Sequence, residues 1–121
     1  MESWTEHARA TLASGDELVL RERAGVFEIR CNGWDLMSNR AHASEERLAR
    51  EALALLADRP APRVLIGGLG MGFTLRAALA VLGSKAQIVV AELVPAVIAW
   101  ARGPMAEIFG DSLHDPRVSI R

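Results

Sequence analysis

Four glycines fall within six residues, Gly67-Gly68-Leu69-Gly70-Met71-Gly72, directly after the apolar run Val64-Leu65-Ile66 and just before a helical pattern. Glycine lets a backbone turn sharply and approach a ligand closely. A helix N-terminus just beyond it presents N–H groups to that ligand. Twenty residues after Gly72, Glu92 closes a second apolar run, Gln87 to Ala91, and Leu93 follows it. A carboxylate at that place accepts two hydrogen bonds from a ribose diol, and charge-assisted bonds of this kind are the stronger ones. The chemistry indicated is recognition of a small nucleoside ligand. Gly67, Gly68, Leu69, Gly70, Met71 and Gly72 form the loop beneath it, with Glu92 and Leu93 at its ribose end.

Glycine spacing separates two ligand classes. A dinucleotide loop wants G-x-G-x-x-G. Read from Gly68, its third glycine falls on Phe73; read from Gly67, its second falls on Leu69. The spacing present is G-x-G-x-G, Gly68-Leu69-Gly70-Met71-Gly72, which is typical of loops passing beneath the methionine-derived tail of an S-adenosyl compound. The alternative stays open that these glycines serve only tight strand–helix packing and that Glu92 is a solvated strand end.

The elements that must position this loop follow from periodicity. Residues 1–16 read as a short helical or irregular lead. Glu17 to Arg23, Val26 to Cys31 and Trp34 to Ser38 alternate as strands. Asn32-Gly33 between the last two is a strong hairpin signal, because a type I′ turn needs positive φ at both central residues. Ser44 is the expected N-cap of a helix with Glu45 and Glu46 in its first turn, where the helix dipole favours negative charge. Its apolar positions are Leu48, Ala49, Ala52, Leu53, Leu55 and Leu56, and it stops near Asp58, ahead of Pro60 and Pro62. Val64 to Ile66 and Gln87 to Ala91 read as strands buried on both faces. Thr74 to Leu82 and Pro95 to about Arg102 read as helices, and Val118 to Ile120 begins a third strand. The fold class expected is α/β: a small N-terminal antiparallel β-meander plus helix over residues 1–58, then an incomplete Rossmann-like parallel β-α-β-α-β half over residues 59–121.

Totals exclude several classes. Fourteen basic and fifteen acidic residues leave a net charge of −1, without the basic footprint of a nucleic-acid binder. No apolar run approaches the roughly 18 residues of a membrane span, and MESWTEHARA lacks the pattern of a signal peptide. Cys31 is the one cysteine, so no internal disulfide is expected. His7, His42 and His114 have no metal-like spacing, and no metal is assigned. These features together predict a cytoplasmic protein. Met37, Met71, Met105 and Trp100 read as packing residues; Trp4 has no assigned place.

Several stretches carry a family resemblance. "VLIGGLGMGFTLRAAL" and "VVAELVPAVIAWAR" resemble the two nucleoside motifs of the spermidine synthase family, a branch of the class I S-adenosylmethionine-dependent methyltransferase fold. "LHDPRVSIR" resembles that family's approach to the third strand, and "FEIRCNGWDLMSNRAHASEERLAREALALL" its N-terminal β-domain and following helix. The resemblance implies a transferase that uses S-adenosylmethionine or decarboxylated S-adenosylmethionine, with aminopropyl or methyl transfer, polyamine biosynthesis as its setting and 5′-methylthioadenosine as a product. It also implies a homo-oligomer, with Leu18, Leu20, Phe27, Ile29, Trp34 and Leu36 offered as a dimer surface or as cover for the helix at 48–56.

Departures from the family sharpen the expectation. The family's loop carries Asp where this sequence has Met71, and a thioether does not anchor an ammonium group. Family aromatic and His or Gln positions correspond to Ser44 and Glu45, with Glu46 retained. The family's catalytic acid follows the fourth strand, whereas this sequence reaches only the third. Asp111, His114 and Asp115 are the remaining acid–base candidates, and they lie before the third strand, away from the carboxyl ends where ligands sit. No catalytic residue is therefore assigned. The expectation is a transferase relative inactive as this short chain, whose Val64–Ile66 edge either pairs with another chain or belongs to a fragment of a longer protein. The alternative is a non-catalytic nucleoside-binding or dimerisation module.

Overall fold

The computed structural model describes residues 3–40, 42–56 and 58–121. Two sheets follow one another along the chain. The first is antiparallel, with order β1-β2-β3-β4 and strands β1 Thr5–Thr11, β2 Glu17–Arg23, β3 Val26–Cys31 and β4 Trp34–Ser38. Residues expected as a helical or irregular lead instead form β1, and Met1 and Glu2 lie outside the described residues. Ala8 and Ala10 sit opposite Leu20 and Leu18. These small inward residues carry too little hydrophobic contrast to mark a strand by pattern, and the pairing with β2 decides the conformation.

Both hairpin turns that follow are built on positive φ. Asn32 and Gly33 have φ of 51° and 84°, as a type I′ turn demands. Ala24 and Gly25 repeat the geometry at 51° and 81°. Leu18, Leu20 and Ile29 are buried on the inner face, while Trp34 and Leu36 stay 79% and 55% exposed. The six residues offered as one surface thus divide between core and solvent. Trp4 lies under two guanidinium groups, with Arg21 at 4.0 Å and Arg23 at 4.4 Å from its ring centroid.

Helix α1 spans Ala43–Ala54, with His42 at its N-cap position, so Ser44 lies inside the first turn. Only Ala49 and Leu53 of its apolar set are buried; Leu48 and Leu55 are 68% and 85% exposed. The helix ends before Asp58 and packs beside α2. No helix among the described residues is long and apolar enough to cross a membrane.

The second sheet is parallel, with order β5-β6-β7 and strands β5 Arg63–Gly67, β6 Gln87–Ala91 and β7 Val118–Ile120. Helices α2 Phe73–Val81 and α3 Pro95–Arg102 make the crossovers, and a short α4 Ala106–Phe109 follows the Gly103-Pro104 break. Both crossovers step in one direction across the sheet, so right-handed connections place α2 and α3 on one face. That face holds Ile66, Ile88 and Val90, all buried. The opposite face carries Leu65 beside Val89, and Leu65 is 70% exposed. Burial of β5 and β6 on both faces is therefore not what the structure shows, because nothing among the described residues covers the second face.

Candidate functional site

Parallel register brings the loop and the acid together. Ile66 pairs with Val90 and Gly67 with Ala91, so both strands end level. Gly68 donates its N–H to the Ala91 carbonyl at 2.8 Å, extending the ladder by one residue before the chain turns away. Both segments therefore lie at the carboxyl end of the sheet, where open α/β folds hold ligands.

The glycines of the loop are bare for different reasons. Gly68, Gly70 and Gly72 have φ of 96°, 54° and 82°, a region L-residues rarely adopt. A Cβ at Gly72 would sit 2.6 Å from the Phe109 Cδ1, and one at Gly70 3.8 Å from the Met37 sulfur. Phe109 is 1% exposed, so Gly72 makes room for a core ring from α4. Around Gly67 and Gly68, by contrast, no atom comes within 4 Å of the Cβ position. Packing thus accounts for the bareness at Gly72, and an open approach exists only at Gly67 and Gly68. Leu69 and Met71 point inward and are 5% and 4% exposed, so only their backbones are available to a ligand.

Glu92 is half-buried and its carboxylate is already engaged. One oxygen accepts the Leu69 N–H at 2.8 Å, and the other accepts the Val94 N–H at 3.0 Å. The acid thereby fixes the loop to the start of α3. A carboxylate has about four lone-pair positions, so two remain for a ribose diol. Leu93, the next residue, is 94% exposed.

A second cluster adjoins the loop where it enters α2 at Phe73. His42 stacks on Phe73, with ring centroids 4.0 Å apart and planes 9° apart. Its Nδ1 is hydrogen-bonded to Glu46, which also receives Arg50 at 3.3 Å. Ser44 and Glu45 are exposed and make none of these contacts. Sequence patterning did not single out this cluster, although His42 and Glu46 stand at i, i+4 spacing.

Of the acid–base candidates before β7, Asp115 has a structural role. Asp115 accepts bonds from the Arg117 backbone and side chain at 2.8–2.9 Å. These bonds, the side-chain ones above all, hold its carboxyl down to about 2. Arg117 in turn donates to the Leu79 and Leu82 carbonyls, at 3.2 Å and 2.7 Å, capping the end of α2. A carboxylate held that strongly as an anion is a poor proton acceptor near neutral pH. The signal for this cap was the Asp-Pro-Arg step itself, an acid and a base two residues apart at a turn. His114 and Asp111 are exposed on the same segment.

The fold has counterparts among solved structures. A spermidine synthase in complex with the transition-state analogue AdoDATO superposes with a TM-score of 0.72 at 20% identity, over 95% of this chain and 39% of that one. A spermidine synthase from Thermotoga maritima gives 0.73 at 20% identity, over 96% of this chain and 40% of that one. No family model and no curated protein matches the sequence. The likeness is one of fold, and the chain spans about two fifths of the length of those structures.

Proposed function

We propose that this chain is the nucleoside-binding part of a spermidine synthase-like transferase, with residues 59–121 holding the adenosyl group of an S-adenosyl-type ligand and residues 1–58 forming a cover. The observation that carries the reading is the open backbone at Gly67 and Gly68 level with a carboxylate anchored at the next strand's end. The two free lone-pair positions of Glu92 suit a 2′,3′-diol, and the bare backbone suits the 5′-thioether beyond it. A cytoplasmic setting, the expectation from composition and the N-terminal residues, completes the proposal.

Residues present fit the adenosyl part of decarboxylated S-adenosylmethionine better than its cationic tail. When bound, that cofactor supplies an activated aminopropyl group, and S-adenosylmethionine supplies a methyl. Holding the tail needs a carboxylate at the loop, and position 71 offers a thioether buried in the core. Asp115, the best-defined acid near β7, is committed to Arg117. The chain therefore binds without transferring, and neutral 5′-methylthioadenosine is its preferred probe.

Calorimetric titration of the purified chain with 5′-methylthioadenosine, S-adenosylmethionine and NAD tests this. The expected order is thioadenosine first and NAD last. NAD binding tighter than either adenosyl compound overturns the loop argument, and aminopropyl transfer by the pure chain overturns the assignment of binding without turnover.

A further inference from the structure

We infer that the cavity between α1 and α2 binds a small monocarboxylate with a short apolar tail. This site is separate from the open glycines at Gly67 and Gly68, and it does not depend on the nucleoside reading. The cavity measures 310 Å³, at the lower end of small-molecule sites. His42, Glu46 and Arg50 line it at i, i+4 and i+8 along α1, and Phe73, Ala77 and Ala80 face them at i, i+4 and i+7 along α2. The space follows from the two alanines, since a longer side chain at either position would enter it.

The charges in the lining select the occupant. Glu46 is committed: one oxygen is hydrogen-bonded to His42 Nδ1, and the other accepts Arg50 at 3.3 Å. Arg76, which also lines the cavity, is fixed but unmatched. Its Nη1 donates to the Ile108 carbonyl at 2.8 Å, and among the described residues it joins no ion pair. A guanidinium has five donors, so four remain. Held planar in one place, they match the two oxygens of a carboxylate in parallel bonds. Two guanidinium groups against one carboxylate leave one positive charge in the lining, which a monoanion balances. A dianion would set surplus negative charge beside Glu46. The floor is apolar and fixed: Phe73 and Ala77 are buried, and His42 stacks on Phe73 at 4.0 Å. An anionic head on Arg76 thus brings a short hydrocarbon tail against Ala77 and Ala80.

The test is a two-dimensional NMR titration of the full 121-residue chain at pH 7 with sodium butyrate, inorganic phosphate and sodium chloride at matched ionic strength. The signals followed are the Arg76 side-chain N–H and the Ala77 and Ala80 methyls. The expected result is saturable change at all three with butyrate, in the millimolar range suited to so small a ligand, and none with chloride. Arg76→Gln should weaken butyrate binding at least tenfold. Ala80→Leu, at an exposed position, should fill the cavity and weaken it as much without altering the charge. Equal change with butyrate and chloride reduces the effect to ionic screening and overturns the proposal. Saturation by phosphate with butyrate silent overturns the choice of a monocarboxylate. Butyrate shifts confined to other residues, or no shift at all, overturn the site. The three titrations of the parent chain decide the matter even if a variant fails to fold, and their failure leaves the nucleoside reading intact, since 5′-methylthioadenosine is not among the probes.

Discussion

The Glu92 carboxylate accepts the Leu69 N–H at 2.8 Å, so the acid at the end of β6 holds the glycine loop at the end of β5. Its second bond, from Val94 at 3.0 Å, extends the tie to α3. Glu92→Gln puts an NH2 group where one of these N–H donors points. A bond to a charged, half-buried group contributes about 1.5 kcal/mol. Loss of about that much stability is expected by urea unfolding at pH 7, in the absence of any ligand. An unchanged midpoint would mean that Glu92 does not hold the loop.

Gly67 and Gly72 should respond differently to the same substitution. Gly72→Ala drives a methyl into the Phe109 ring at positive φ, and steric strain of that kind costs roughly 2–4 kcal/mol. Combining it with Phe109→Leu should recover part of the loss, since the clash is with the ring. Gly67→Ala meets no atom within 4 Å and should leave the unfolding midpoint within about 0.5 kcal/mol of the parent. Equal losses at both positions would contradict the division of the loop into a packed half and an open half.

Asp115 titrates far below an ordinary carboxyl, at about 2, because Arg117 bonds to it. Its unfolded value is about 3.9. A carboxyl depressed on folding adds stability above the unfolded value and loses it as pH falls through the folded one. Asp115→Asn is therefore expected to be less stable than the parent at pH 7, with the gap closing between about pH 4 and pH 2. A gap that stays constant across this range would mean that the bond with Arg117 does not form.

Ala24 occupies a turn position at φ 51°. A left-handed backbone costs an L-residue with a Cβ roughly 1 kcal/mol, and glycine escapes that cost. Ala24→Gly should raise the thermal midpoint by a few degrees. A lowered midpoint would show that the turn gains more from alanine's smaller unfolded-state entropy than it loses to strain.

Much of the second half was legible in the sequence because each element is punctuated. Pro95 opens α3, Gly103-Pro104 ends it, and Gly68 to Gly72 separate β5 from α2, so their order and type followed from local chemistry. The first strand was not legible, because Ala8 and Ala10 give almost no hydrophobic contrast and only pairing with β2 fixes them. Nor was the start of α1, where His42 stacks on Phe73 instead of leaving the cap to Ser44. At the site, spacing located the loop and Glu92 but could not say which glycines face solvent. That depends on Phe109, thirty-seven residues beyond Gly72. Burial of Leu65 was misjudged for a related reason: an apolar strand signals potential contact, and whether a layer covers it is a property of topology.

Titrating the parent chain and Gly67→Ala in parallel with 5′-methylthioadenosine tests the central claim most directly. The account predicts saturable binding by the parent, binding weakened at least tenfold in the variant, and the same unfolding midpoint for both. Equal affinity in the two proteins, or no binding by the parent, would contradict it.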